Sequence, residues 1–204
     1  MSKNGQATRQ RILDAAETLV LQHSLAGTSI DMVLAQAGIT KGAFFYHFKS
    51  KSALAEALVE RYLAQETLML QELVQRAERL SRDPLQQVLI FLGLFQEVLE
   101  QADTQAGCLV ASYVYQMADL SEEIRAIAAQ GFADWRQDLS QRFETIMAQY
   151  PPRYPVTATD LANGFLVVVE GSLVLLRVLQ EAQHPSQQLA HYRNYLELLF
   201  LPDR

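Results

Sequence analysis

Apolar residues recur every three or four positions along almost the whole chain, the spacing of helices with one buried face. Ile12, Leu13, Ala16, Leu19 and Val20 form such a stripe and predict a first helix over residues 7–23, after a tail at 1–6. Ile30, Val33 and Leu34 predict a short second helix. Thr28 stands where it can cap that helix, with Asp31 three residues later, as a capping box requires. Gly38 ends it, because glycine takes the left-handed backbone of a helix stop. Thr40 is placed to cap a third helix over 41–47, whose Phe44 shares one face with Phe48. Two short helices joined by a tight turn containing glycine make a helix-turn-helix, the element that sets a recognition helix in the DNA major groove.

From Lys51 the period continues through Leu54, Leu58, Tyr62, Leu70, Leu73, Val74 and Ala77 without a glycine or proline. One long helix over 51–80 is expected. Such a rod can carry motion between its ends, so the domain boundary is placed inside it near Arg61, dividing 1–61 from 62–204. Ser81-Arg82-Asp83-Pro84 reads as a stop and a start, with Asp83 as cap and Pro84 in the first turn. Helix 84–101 is apolar on most sides and therefore expected to be buried. Further helices are expected over 104–118, 121–150 (capped by Ser121), 159–182 and 186–201, with breaks at Pro151-Pro152 and His184-Pro185. Strand alternation and internal repeats are absent from the sequence. The fold class is all-α: an N-terminal three-helix helix-turn-helix domain joined by a long helix to a C-terminal helical bundle.

Charge changes the picture. The net charge of −6 looks wrong for a nucleic-acid partner, but all four lysines (Lys3, Lys41, Lys49, Lys51) lie in the first 51 residues. Residues 1–60 hold six Lys/Arg against five Asp/Glu, whereas 61–204 hold eleven against eighteen. The cations gather at the helix-turn-helix and the rest of the chain repels phosphate, which would orient the molecule on DNA. Every apolar run meets a charge before reaching the ~20 residues of a bilayer crossing, and the N-terminus has no apolar secretory stretch. One cysteine makes no internal disulfide, which fits a reducing cytoplasm.

Residues 38–51 carry more than a generic helix-turn-helix. Gly38, Ile39, Thr40, Lys41, Gly42, Ala43, Phe44, Phe45, Tyr46, His47, Phe48, Lys49 and Lys51 resemble, place by place, the DNA-binding signature of the TetR family of transcriptional repressors. The close match covers about residues 8–62. Phe45 departs from it, standing where many members carry a phosphate-binding tyrosine; Tyr46 beside it can supply the phenol. The resemblance implies phosphate contacts from Tyr46, His47 and Lys51, and base-edge or phosphate contacts from Thr40, Lys41, Gly42 and Ala43. Thr28, Ser29 and Phe45 complete the expected DNA surface. Physical chemistry agrees on the turn: a helix N-terminus favours an anion, and Gly42 lets a backbone approach closely. Arg9 and Arg11 lie near the first helix start on faces that could also reach phosphates.

The resemblance further implies a homodimer made by the last two helices, and a small organic effector of unspecified identity. A dimer would space two recognition helices about 34–36 Å apart and demand a near-palindromic operator in double-stranded DNA. Leu161, Phe165, Val168, Leu173, Leu176, Tyr192, Leu196, Leu199 and Phe200 offer more apolar stripe than one bundle needs. Glu170 and Arg177, seven apart within that apolar run, suit the rim of an interface or pocket. Tyr113, Met117 and Trp135 are candidates to line an effector pocket between helices.

Catalytic signatures are missing: there is no HExxH, Walker loop, GxSxG or GxGxxG. The four histidines do not cluster with acids or cysteine, so neither a metal nor a cofactor is expected. Gly107-Cys108 resembles a pair that some TetR-like regulators carry at a helix start, where the thiol senses electrophiles or oxidants. A helix N-terminus lowers a thiol pKa. Against this, no Lys, Arg or His lies within five residues of Cys108, which favours an ordinary buried thiol. The reading is a cytoplasmic, effector-released repressor that is not an enzyme. The alternatives are a thiol-sensing repressor acting through Cys108 and, in a different class, a helical-bundle carrier or enzyme.

Overall fold

The computed structural model of the chain describes residues 3–101 and 122–200, and within these the regular structure is helical throughout. The helices are α1 (Lys3–Gly27), α2 (Ile30–Ala37), α3 (Lys41–His47), α4 (Lys51–Leu80), α5 (Pro84–Glu100), α6 (Glu122–Gln149), α7 (Ala158–Leu179) and α8 (His184–Phe200). The helix expected over 104–118 lies outside the described residues, with Cys108, Tyr113 and Met117, and so does the cap at Ser121.

Three expectations need correction. The helix α1 starts at Lys3, so the tail is shorter than its polar composition suggested; it also runs on to Gly27, with non-helical backbone at Ser24 (φ 65°). The cap of α2 is Ser29, not Thr28: the Ser29 side chain accepts from the Met32 N–H. Thr28 is buried and its hydroxyl donates to the Ser24 carbonyl at 2.7 Å, so it is spent on the bend between α1 and α2. The helix α7 was expected over 159–182; it begins at Ala158, capped by Thr157. Thr157 accepts from the Asp160 N–H while the Asp160 carboxylate accepts from the Thr157 N–H, a complete capping box. This helix ends three residues early because Gln180 takes left-handed backbone, and α8 begins at His184, with Pro185 in its first turn.

Two compact units divide the chain inside α4, between Gln65 and Glu66. The first holds α1, α2, α3, the start of α4 and the start of α6 through Gln130. Its buried side chains include Ile12, Leu13, Ala16, Leu19, Val20, Val33, Phe44, Phe48, Leu54, Leu58 and Leu63. The second unit holds the remainder of α4 and α6 with α5, α7 and α8. Its core joins Leu73 and Ala77 of α4, most of the apolar residues of α5, Phe143 and Ile146 of α6, and the inner faces of α7 and α8. Phe91, Phe95 and Phe165 form its centre, with ring centroids 5.8–6.1 Å apart. Tyr192 packs beside them at 6.3 Å from Phe165, and its buried hydroxyl donates to the Leu161 carbonyl at 2.6 Å.

Asp83 caps α5 as the sequence predicts, accepting from the Gln86 N–H at 2.8 Å. Its second oxygen accepts from the Tyr150 hydroxyl at the end of α6. The Tyr150 hydrogen bond, followed by that of the Gln86 backbone, holds the Asp83 carboxyl below the usual carboxylate range. A depressed folded pKa contributes stability above the unfolded value, and that stability is lost as pH falls through the folded one. Urea unfolding of the wild type therefore loses midpoint as pH falls below about 4, and Asp83→Asn is expected to lower the neutral-pH midpoint and flatten this acid slope. An unchanged slope would contradict the tie.

Candidate nucleic-acid interface

The bend at Ser24 turns the chain from α1 into α2, and the Thr28 N–H closes it on the Leu25 carbonyl at 3.2 Å. Gly38 ends α2 in left-handed backbone (φ 61°), with its N–H directed at the Ala35 and Leu34 carbonyls. The Ile39 N–H then reaches the Leu34 carbonyl at 3.1 Å. This closes orphan carbonyls of α2 and aims the chain into α3. Thr40 caps α3 by accepting from the Ala43 N–H at 3.3 Å.

Two aromatic anchors decide which side of α3 faces out. Phe44 and Phe48 are buried with ring centroids 5.9 Å apart. Fully burying an aromatic side chain of this size is worth about 1.5–3 kcal/mol, so α3 cannot rotate without losing both. Phe45 is half-buried and meets Phe44 edge-on at 5.3 Å, so it serves packing at the rim. On the outer side, Lys41 and Gly42 are exposed, Ala43 and His47 are half-buried, and Tyr46 is 70% exposed. A Cβ added at Gly42 would meet nothing within 4 Å, so the space above it is open to a partner.

Lys49, Lys51 and Arg9 each meet a group of the fold. Lys49 donates to the Phe45 carbonyl at 3.3 Å, at the C-terminal end of α3 where a cation complements the helix dipole. Lys51 is partly buried, its amine reaches the Ala26 carbonyl at 3.5 Å, and burial lowers its pKa. Arg9 lies over the Phe48 ring at 5.2 Å, which accounts for its guanidinium without a phosphate; Arg11 is exposed. Of the expected DNA residues, Thr40 to Ala43 and Phe45 to His47 lie on α3 or its cap, Ser29 and Lys51 stand at the starts of α2 and α4, and Thr28 is buried.

In the second unit, Trp135 is half-buried on α6 and its indole N–H donates to Thr67 of α4 at 2.9 Å. Phe132 meets it edge-on at 5.1 Å. A groove of about 90 Å³ lies over Val88, Phe91 and Leu139, with Glu78 and Arg142 at its rim. It falls short of the about 300 Å³ at which small-molecule sites begin, and Trp135 does not line it. The apolar stripe expected to dimerise belongs to this unit's own core: Leu161, Phe165, Leu176, Tyr192, Leu196, Leu199 and Phe200 are buried. A second stripe is left outside. Val167 and Val178 of α7 are 70% and 71% exposed, and Leu198 of α8 is 69% exposed, with Leu175, Leu179 and Tyr195 beside them. Glu170 and Arg177 are half-buried on α7. This helix is also long and apolar enough to cross a membrane by length and composition, and its exposed apolar side chains are what give it that character.

An all-helical chain whose helix-turn-helix turns a capped, lysine-bearing N-terminus outward is a DNA-binding regulator. Comparison with known proteins makes this specific. Residues 12–58 match the model of bacterial regulatory proteins of the tetR family, and 84–187 match that of the C-terminal domain of LmrA/YxaF-like transcriptional regulators. The chain belongs to the tetR family. It is 33% identical over 192 residues to the HTH-type transcriptional repressor NemR of Escherichia coli, covering 93% of this chain and 94% of that one. The crystal structure of the Escherichia coli NemR reduced form superposes with a TM-score of 0.79 at 25% identity, over 97% of this chain and 100% of that chain. A TetR-family regulator from Agrobacterium tumefaciens gives 0.80 at 25% identity, over 96% and 99%. Members of the family bind operator DNA, dimerise and take small-molecule effectors, and this chain is a transcriptional repressor of that kind.

Gly38→Ala tests the turn. It puts a Cβ on left-handed backbone, which costs about 1–2 kcal/mol, and the fall should appear in the thermal midpoint of the helix-turn-helix unit followed by helical circular dichroism. A midpoint equal to the wild type's would show that the turn is not held as described.

Proposed function

We propose that the exposed end of α3 is the operator-reading element, with Thr40, Lys41, Gly42 and Ala43 at the base edges or phosphates. In this reading Tyr46, His47 and Lys51 hold the phosphate backbone, Ser29 contributes from the start of α2, and Thr28 and Phe45 support the surface from beneath and beside it. The observation that carries it is the pairing of buried Phe44 with exposed Lys41 and Gly42 on one seven-residue helix, anchored at its C-cap by buried Phe48. Lys51 also fits, since an incoming phosphate compensates a partly desolvated amine. Residues 1–61 act as the DNA-binding domain and 62–204 as the effector-binding and dimerisation domain of a cytoplasmic protein with no enzymatic activity. The exposed stripe of Val167, Val178, Tyr195 and Leu198 is the face on which two copies meet. An effector that prefers one state of the C-terminal bundle would displace the recognition helices from their operator spacing, Trp135 lying beside the helix α4 that joins the two units.

Lys41→Ala and Lys51→Ala are each expected to weaken binding to a duplex selected from a random library. The slope of log affinity against log salt should fall by about one in each. Unchanged affinity in both would remove the assignment.

A second reading concerns Cys108. One similar structure is described as the reduced form of its protein, so redox state is a distinguished property of that relative. If Cys108 does the same work here, mild oxidant releases the wild type from its duplex and leaves Cys108→Ser bound. Equal release of both would end the thiol reading.

A further inference from the structure

Arg61 of α4 reaches across to α1 with both ends of its guanidinium. Its Nη1 donates to the Asp14 carboxylate at 2.6 Å, and its Nη2 donates to the Glu17 carboxylate. The side chain is only 12% exposed. The two carboxylates stand three residues apart on α1, so the planar fork is caught between points one turn apart. A second tie lies ten residues earlier on α4, where Lys51 donates to the Ala26 carbonyl near the end of α1. Higher numbers on α4 meet lower numbers on α1, so the two helices run antiparallel and are pinned at two places.

We propose that Arg61 is a positioning residue for DNA binding, fixing the register of α1 along α4 and with it the placement of α2 and α3 relative to Lys51. This rests on the DNA face proposed above. Apolar packing alone does not set this register. The inward side chains of α1 (Ile12, Leu13, Ala16, Leu19 and Val20) recur at each turn, so a slide by one turn still offers aliphatic groups to the core. The pair of carboxylates does not recur. A slide of four residues brings Gln10 and Leu13, or Thr18 and Leu21, to the two places, and a slide of three leaves one carboxylate with Arg11 or Val20 at the other. Every one-turn slide therefore costs the buried guanidinium at least one of its two partners, although the acids themselves stand nearer solvent, and a charge left half-paired disfavours the slipped arrangement. The tie at Lys51 cannot serve alone, because in the proposed complex that amine turns to a phosphate.

The experiment compares three proteins on one duplex selected with the wild type: the wild type, Arg61→Met with Asp14→Asn and Glu17→Gln, and Arg61→Lys. The triple variant removes the tie without leaving an unpaired charge. Its thermal midpoint should stay within a few degrees of the wild type's, while its affinity falls at least tenfold with the salt slope unchanged. Arg61→Lys, which keeps the charge but loses the fork, should fall between the two. Wild-type affinity in the triple variant would show that Arg61 merely cancels the two acids, and would overturn the proposal. A salt slope reduced by about one would show that Arg61 itself holds a phosphate, and would overturn it equally. If the triple variant fails to fold, Arg61→Lys decides: unchanged affinity in a folded protein refutes register-setting, and a loss supports it. Should Lys41→Ala also bind like the wild type, the fault lies with the DNA face and not with Arg61.

Discussion

Burial of Phe44 on the inner side of a seven-residue helix, and of Phe48 at its C-cap, is the constraint from which the exposed surface of α3 follows. An isolated helix that short does not persist in water, since nucleation costs more than a turn or two returns. This one exists because two aromatic rings are driven into the core of the first unit and because Thr40 and Gly38 set where it begins. With those fixed, the opposite side must face solvent, and the residues there are a lysine, a glycine with open space above it, and an exposed tyrosine. The unsatisfied N–H groups of the helix start point the same way. Exposure of that end is thus a consequence of packing: the rings hold the helix, and the helix presents its lysine to solvent.

Charge is distributed to match. The acidic excess is confined to residues beyond 60, so phosphate is attracted to one end of the sequence and repelled by the rest. Within the first unit, two of the acids are neutralised by Arg61 rather than left to oppose DNA. The helix α4 belongs to both units without a break, so a displacement of its far half has a covalent route to the near one.

The parts of this arrangement that depend on local chemistry were legible in the sequence. Asp83 before Pro84, Gly38 after an apolar turn and Thr40 before Lys41 announce caps and stops through short-range hydrogen bonds, and each is found in that role. Parts that depend on tertiary choice were not. Thr28 and Ser29 are both good caps by type; the bend at Ser24 takes the Thr28 hydroxyl and leaves Ser29 for the helix. The capping box of Thr157 and Asp160 at the start of α7 went unremarked in the sequence, where only the range of the helix was expected. The chain's two C-terminal apolar stripes could not be told apart by periodicity, and the one named first proved to be core. Nothing local to Arg61 marks it, because its partners lie 44 and 47 residues away.

The most direct measurement is amide hydrogen exchange along the chain with and without a duplex selected from a random library. Slowed exchange is expected at the start of α2, through α3 and into the first turn of α4, greatest at the N-terminal amides of α3 that a phosphate would cover. Exchange unchanged there, with protection confined to α5, α7 or α8, would contradict it.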